Sequence, residues 1–370
     1  MIEIEGKYTC AKIFANTIED GVIKQTLDVC NHPIFRNAKI RIMPDCHEGK
    51  GCTIGFTSTL PVNGEVIPNI VGVDQSCGVL AIKLDVDNDI DFQELDLIVR
   101  RHVPSGFDGR SEMHPQVPDE LKEKVIRYNR DFLNRDAGED LKKIGSLGGG
   151  NHFISIEKGS TGTYLIIHSG SRNFGNEMAR YFHKKALDTN MYSSGALSSL
   201  SYLSGRDAEE YLDCAKVCYE YSRISRQIMS MEIMKYMCWD FSDIIETVHN
   251  YIGEDKIIRK GAISCKLNEV VLIPLNMRDG TLLCTGKGNE EWNNSGPHGA
   301  GRVLSRSKAK DTLSLSDYED SMKGIWTSCV SKNTLDEAPM AYKDGSEIES
   351  LINPAAKIID HLIPIYNFKG

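Results

Sequence analysis

Ten histidines are few for 370 residues, yet five of them, His47, His152, His168, His249 and His298, fall in polar or glycine-rich stretches where ordered segments end. Several of these stretches bring other reactive side chains with them. Met43-Pro44-Asp45-Cys46-His47-Glu48-Gly49-Lys50-Gly51 packs a carboxylate, a thiol and an imidazole into a glycine-bounded turn, and Val73-Asp74-Gln75-Ser76-Cys77-Gly78 sets a carboxylate and a thiol three residues apart. Ser146-Leu147-Gly148-Gly149-Gly150-Asn151-His152-Phe153 is a triple-glycine turn that delivers Asn151 and His152, and Ile166-Ile167-His168-Ser169-Gly170-Ser171-Arg172 reads as strand, His and Gly turn. His249-Asn250 closes a long helical region, and Gly296-Pro297-His298-Gly299-Ala300-Gly301-Arg302 opens the next helix. Taken singly, a His at a strand end is more often structural than reactive. Together, one Asp, one Cys and three His offer enough donors for two divalent cations with a thiolate able to bridge them. Mixed oxygen, nitrogen and sulfur donors suit manganese, iron, cobalt or zinc, and spacing does not choose among them. Polar groups gathered on a glycine-rich face lose packing, which a site would explain.

These residues need elements that converge. Short β-prone runs at 39–43, 66–73, 79–84 and 164–167 are bounded by Gly, Pro, Asn or Asp, and a polar helix is expected over 118–133. Residues 207–251 are nearly free of Gly and Pro, and Tyr211, Cys214, Ala215, Cys218, Tyr221, Ile224 and Ile228 recur at three- and four-residue spacing. That pattern predicts two successive long helices broken near Trp239-Asp240, with Cys214 and Cys218 in the core. Strands follow at 262–267, 270–274 and 281–285, then a helix from Gly299. The expectation is an α+β fold: one interwoven domain over residues 1–370, with mixed or antiparallel sheets, glycine turns at strand ends forming the site, and a helical insertion at about 207–251.

The composition excludes much else. Hydrophobic residues are 41% and charged residues 26%, ordinary for a globular chain. The start, Met1-Ile2-Glu3-Ile4-Glu5, is acidic and alternating rather than a cationic stretch before an apolar one, and no apolar run has membrane-spanning length, so a cytoplasmic protein is expected. Eleven cysteines without CxxC pairs fit reduced thiols. The net charge of −9 argues against a surface that grips nucleic acid everywhere, while leaving room for a local basic groove. Neither a GxxxxGK[ST] phosphate loop nor the Lys-x-Asp-Gly signature of lysine-nucleotidylating ligases is present.

In order along the chain, Met43-Pro44-Asp45-Cys46-His47, Gly72-Val73-Asp74 with Cys77-Gly78-Val79, Leu147 to Phe153, His168 to Arg172, His249-Asn250, Arg259-Lys260-Gly261-Ala262, His298 to Arg302 and the terminal Lys369-Gly370 form a pattern. The sequence resembles the RtcB family of RNA-splicing ligases, as a short and divergent member. The resemblance implies an enzyme that joins an RNA 3′-phosphate or 2′,3′-cyclic phosphate to a 5′-hydroxyl, using GTP and two Mn²⁺ ions. It makes His298 the nucleophile that carries GMP, with Asp45 orienting its ring. Asp74, Cys77, His152, His168 and His249 become the metal ligands. The nucleotide would meet Asn151, Phe153, Ile154, Ser155, Asn250, Pro274, Leu275, Asn276, Met277, Thr281, Gly299, Ala300, Gly301, Tyr342 and Lys369. Arg172 and Arg302 are the RNA contacts, with Arg306, Lys308 and Lys310 as further cations whose plainer reading is a solvated helix face.

One departure stands out. Ser155 replaces a glutamate that the family sets against the guanine base, and a serine oxygen replaces only part of that acceptor; Glu157 shares its face only if the segment is a strand. Two other readings compete with the ligase: a dinuclear-metal phosphoesterase acting on RNA phosphate ends, and an RNA-end-binding protein that has lost turnover. His298 separates them, because neither needs a guanylylated histidine.

Overall fold

The β-prone runs at 79–84 and 164–167 pair with each other, and the sheet they begin positions the site. A computed structural model describes residues 1–86, 89–189 and 197–370. Strand Gly78–Asp85 lies antiparallel to Gly162–Ser169, with Val79 opposite His168 and Ala81 opposite Ile166. Among the described residues this sheet has seven strands, in the order Val270–Asn276, Gly280–Gly286, Ala356–Lys369, Phe153–Gly159, Gly162–Ser169, Gly78–Asp85 and Asp240–Val248. Every pairing in it is antiparallel. The sheet curls until its first and last strands meet, where the Leu272 amide donates to Thr247 Oγ1 at 3.0 Å.

Side chains alternate across a strand, so each strand feeds two environments. Leu80, Ile82, Ile154, Ile156, Leu165 and Ile167 pack outward against Leu95 and Val99 of helix Phe92–His102 and Met229 and Ile233 of helix Gly205–Met237. Val79, Ala81, Tyr164 and Ile166 pack inward with Leu272, Leu283 and Leu362. Burying a side chain the size of Ile233 contributes about 1.5–3 kcal/mol. A six-stranded sheet, in the order Ile2–Glu5, Cys10–Ile13, Ile40–His47, Ile54–Thr59, Ile257–Lys260 and Asn250–Ile252, contains one parallel pair, Cys10–Ile13 with Ile40–His47. A two-stranded ribbon of Ala262–Ser264 and Ser295–Pro297 ends at His298. The fold is α+β, with helices grouped against antiparallel and mixed sheets. Among the described residues no helix is long and apolar enough to cross a membrane.

Most expected elements form, including helix Asp119–Leu133, and Cys214 and Cys218 are buried in the core. Four differ. The 207–251 region holds one helix, Gly205–Met237, and then a strand, Asp240–Val248. Cys238 takes a left-handed conformation at φ 55° and its amide bonds the Met234 carbonyl, so the helix ends without the glycine that usually marks such a cap. Residues 66–73 are not a strand: Pro68–Val71 is a helical turn begun by its proline and stopped at Gly72, whose φ is 97°. Asp74 therefore follows a helical turn. The ribbon strand from Ala262 ends at Ser264, short of the expected 267. The helix expected from Gly299 starts at Arg306, because Gly301 at φ 77° breaks helical geometry and Ser305 caps the later start.

Candidate active site

Asp45 comes first, because it is fully buried and its strand leaves it no water. Its Oδ2 accepts the His298 backbone amide at 3.0 Å and lies 2.6 Å from His298 Nδ1. A carboxylate only accepts, so Nδ1 carries the ring proton and Nε2 keeps its lone pair. Gly301 lets the chain after His298 lie against the Asp45 carbonyl, where any Cβ would collide. His298 thus presents an oriented Nε2 beside His249, their ring centroids 4.9 Å apart.

Around His249 the other imidazoles face one another. Cys77 Sγ is 3.4 Å from His152 Nε2 and 3.1 Å from His168 Nε2. Asp74 Oδ2 is 3.3 Å from His152 Nε2, and His168 Nε2 is 3.4 Å from His249 Nε2. The opposite ring nitrogens are held by carbonyls, His152 Nδ1 by Leu147 at 2.8 Å and His168 Nδ1 by Asn151 at 3.0 Å. Those carbonyls place the ring protons on Nδ1 and turn the Nε2 lone pairs inward, the arrangement of metal-ligating histidines. Two donor sets share Cys77: Cys77 with His168 and His249, and Asp74 with Cys77 and His152, each with donor atoms within 4.8 Å. Burial, then the neighbouring His152, holds His168 down to about 3, and burial with His298 and His168 keeps His249 well below its ordinary value. Burial and Asp74 push the Cys77 thiol well above its ordinary value. Lone pairs crowded this way repel unless a cation lies between them, so the donor set fits divalent metal.

The glycine turn supplies two of these groups. Gly148 sits at φ 92° and a Cβ there would strike the Arg172 guanidinium and the His152 ring. Arg172 is a positive-φ residue whose guanidinium donates to the Gly106 carbonyl at 2.6 Å and to Ser146 Oγ at 3.2 Å. Its charge lies beneath the loop that presents Asn151 and His152.

A cavity of about 340 Å³ opens from His298 and the imidazoles. Asp74, His168 and His249 reach it, while Cys77 and His152 lie behind them. Asn151, Phe153, Asn250, the Pro274 to Met277 segment, Gly299 to Arg302, Tyr342 and Lys369 also line it. Ile154 does not: it points outward into the helical core, as strand alternation requires. Ser155 and Thr281 are fully buried and do not line the cavity. Arg302 donates to the Asp336 carbonyl at 2.6 Å and to Tyr342 Oη at 3.2 Å, and Arg306 pairs with Asp336 and Glu337 at 3.0 and 2.7 Å. Lys310 pairs with Asp336, and Lys369 Nζ bonds Glu337 at 2.9 Å. Lys308 is exposed.

Five lining side chains had no role in the expected site: His47, Ile54, Glu157, Glu337 and Asn367. Glu157 and Asn367 could have been found by twos, since Phe153, Ser155 and Glu157 share one strand face, as do Asn367 and Lys369. Glu337 had no signal. It sits in the short helix Lys332–Glu337, far in sequence from its partners.

Comparison with known proteins gives the family. The family model described as tRNA-splicing ligase RtcB matches residues 25–140 and 123–370. The chain is 29% identical over 397 aligned positions to the RNA-splicing ligase RtcB of Escherichia coli strain K12, covering 95% of each. It is 27% identical to the tRNA-splicing ligase RtcB of Nanoarchaeum equitans, covering 98% of this chain and 94% of the relative. It is 24% identical to that of Methanococcus maripaludis, covering 93% and 90%.

Proposed function

The chain belongs to the RtcB family, and on that premise we propose that it is an RNA ligase joining 3′-phosphate or 2′,3′-cyclic phosphate ends to 5′-hydroxyl ends through guanylylated His298. The observation that carries the reading is the 2.6 Å contact of His298 Nδ1 with buried Asp45. It leaves Nε2 as a nucleophile beside three more imidazoles. In the first step the Nε2 lone pair attacks the α-phosphorus of GTP, the bond to the β-phosphate oxygen breaks, and pyrophosphate departs. Water opens a cyclic end by breaking its bond to the 2′-oxygen, leaving a 2′-hydroxyl and a 3′-phosphate, whose oxygen then takes GMP as the P–N bond breaks. The RNA 5′-oxygen attacks the activated phosphate, loses its proton, and GMP leaves.

Asp74, Cys77, His152, His168 and His249 would hold two Mn²⁺ ions. Bound there, divalent cations supply charge neutralisation for the triphosphate and polarise oxygens in phosphoryl transfer. Phe153, the Pro274 to Met277 segment, Tyr342 and Lys369 would enclose the nucleotide, and Asn151, Asn250 and Gly299 to Gly301 its phosphates. Arg302 and Arg306 line the cavity and would meet an RNA end entering it, and Arg172 acts from below by fixing the glycine loop. The protein would work in the cytoplasm. A phosphoesterase needs no guanylylated histidine, so labelling of His298 by GTP separates the two readings.

The test is ligation by the pure protein of an RNA with a 2′,3′-cyclic phosphate to one with a 5′-hydroxyl, with GTP and Mn²⁺. Wild type should join them and His298→Ala should not, to the limit of detection. Ligation surviving in His298→Ala would sink the reading.

A further inference from the structure

One end of the cavity holds polar atoms that the protein leaves unsatisfied. Glu157 lines the cavity and is 2% exposed. Its Oε1 accepts the Ser155 hydroxyl at 2.8 Å, and its Oε2 is buried without a partner. Asn367 lines the same cavity, is also 2% exposed, and its side-chain carbonyl oxygen has no partner either. Asn367 stands opposite Ser155 in the pairing of the last strand with Phe153–Gly159, which sets it beside Glu157. Buried polar groups are nearly always bonded, so two such acceptors side by side in the lining of an open cavity mark the place of a ligand that donates hydrogen bonds.

We propose that Glu157 and Asn367 read the base of the bound nucleotide and select guanine over adenine. This rests on the reading of the cavity as a nucleotide pocket. Guanine carries two adjacent donors, N1–H and the N2 amino group, which match the unpaired acceptors of a carboxylate and its neighbour. Adenine presents a lone pair at N1 beside its N6 amino group, so one acceptor would face another. A site built to bond such donors rejects a ligand lacking them far more strongly than an apolar pocket rejects a wrong shape. Serine at 155 has a part in this. Its small side chain leaves the wall open for Glu157, and its hydroxyl holds one carboxylate oxygen so that the other faces the cavity. Burial pushes the Glu157 carboxyl up to about 7 against the opposing hydroxyls of Ser155 and Thr281.

The experiment is equilibrium binding of GTP, ITP and ATP to the full chain by titration calorimetry, for wild type and Glu157→Gln. ITP lacks only the N2 amino group. Wild type should bind GTP at least tenfold tighter than ATP, with ITP between. Glu157→Gln should bring the GTP to ATP ratio within about threefold, mainly by loss of GTP affinity. A ratio unchanged in Glu157→Gln, with guanylylation of His298 intact, overturns the base-reading assignment alone. Selective GTP binding that depends on Glu157, with His298 never labelled, overturns the ligase reading alone. If Glu157→Gln does not fold, the wild-type preference decides, and equal binding of the three nucleotides overturns the assignment.

Discussion

A hydrogen bond to a buried carboxylate decides which nitrogen of His298 can react. Asp45 holds the proton at Nδ1, so an amide in its place would donate to Nδ1 and drive the proton to Nε2. Asp45→Asn should therefore slow guanylylation by roughly 10²–10⁴ while the fold survives, the penalty of a wrong tautomer. A rate within threefold of wild type would remove Asp45 from the orienting role. Glu157 makes a separate prediction about stability. Its carboxyl rises from 4.5 to about 7 through burial. Below pH 4.5 the group is protonated in both states and costs nothing. As pH climbs from 4.5 to 7 the unfolded chain ionises while the folded one stays protonated, and stability falls, by about 3 kcal/mol in full. Glu157→Gln should accordingly gain melting temperature relative to wild type between pH 5 and pH 8. A pH-independent difference would contradict the burial of that charge.

The glycine turn 148–150 is the element that places His152 and Asn151, and it depends on what lies under it. Gly148→Ala would force a Cβ into the Arg172 guanidinium and the His152 ring. It should cost roughly 1–3 kcal/mol of stability and lower metal affinity about 10–100-fold. Equal melting temperature and equal metal content by elemental analysis would show that the loop tolerates the change. This turn was legible in the sequence because three successive glycines before Asn-His have few other uses. The clustered imidazoles were legible for a related reason: His168 lies at a strand end, His249 between two strands, and each is followed by a turn or pairing change that needs its own residue types. Other elements hid. Strand Asp240–Val248 follows a helix ended by Cys238 in a left-handed conformation, which no residue type announces. Gly299 opens a loop because Gly301 must pass the Asp45 carbonyl, a long-range contact. Glu157 and Asn367 showed only to a reading by twos, and that reading requires the strand to be known first.

At the scale of the whole molecule the cavity is assembled from both sheets and both ends of the chain. Asp45 comes from the six-stranded sheet, His168 from the seven-stranded one, His298 from the ribbon and Lys369 from the last strand. The net charge of −9 is met at the cavity by a balanced cluster. Arg302, Arg306 and Lys369 converge on Glu337, and although burial opposes its charge, Lys369 and Arg306 hold that carboxyl down at about 2. A phosphate entering the cavity meets cations already positioned by an internal anion, which gives a local basic site on an acidic protein. The α+β class was visible from composition and segment pattern, whereas the curl that brings Thr247 to Leu272 and closes the wall was not, since it depends on how seven strands twist together. The central claim is that this assembly exists to load His298 with a nucleotide. Its most direct test is incubation of the full chain with α-labelled GTP and Mn²⁺, followed by assay for label stable to base and labile to acid. The account predicts label on wild type and none on His298→Ala. Equal label on both, or none on a wild-type protein shown to carry metal, would contradict it.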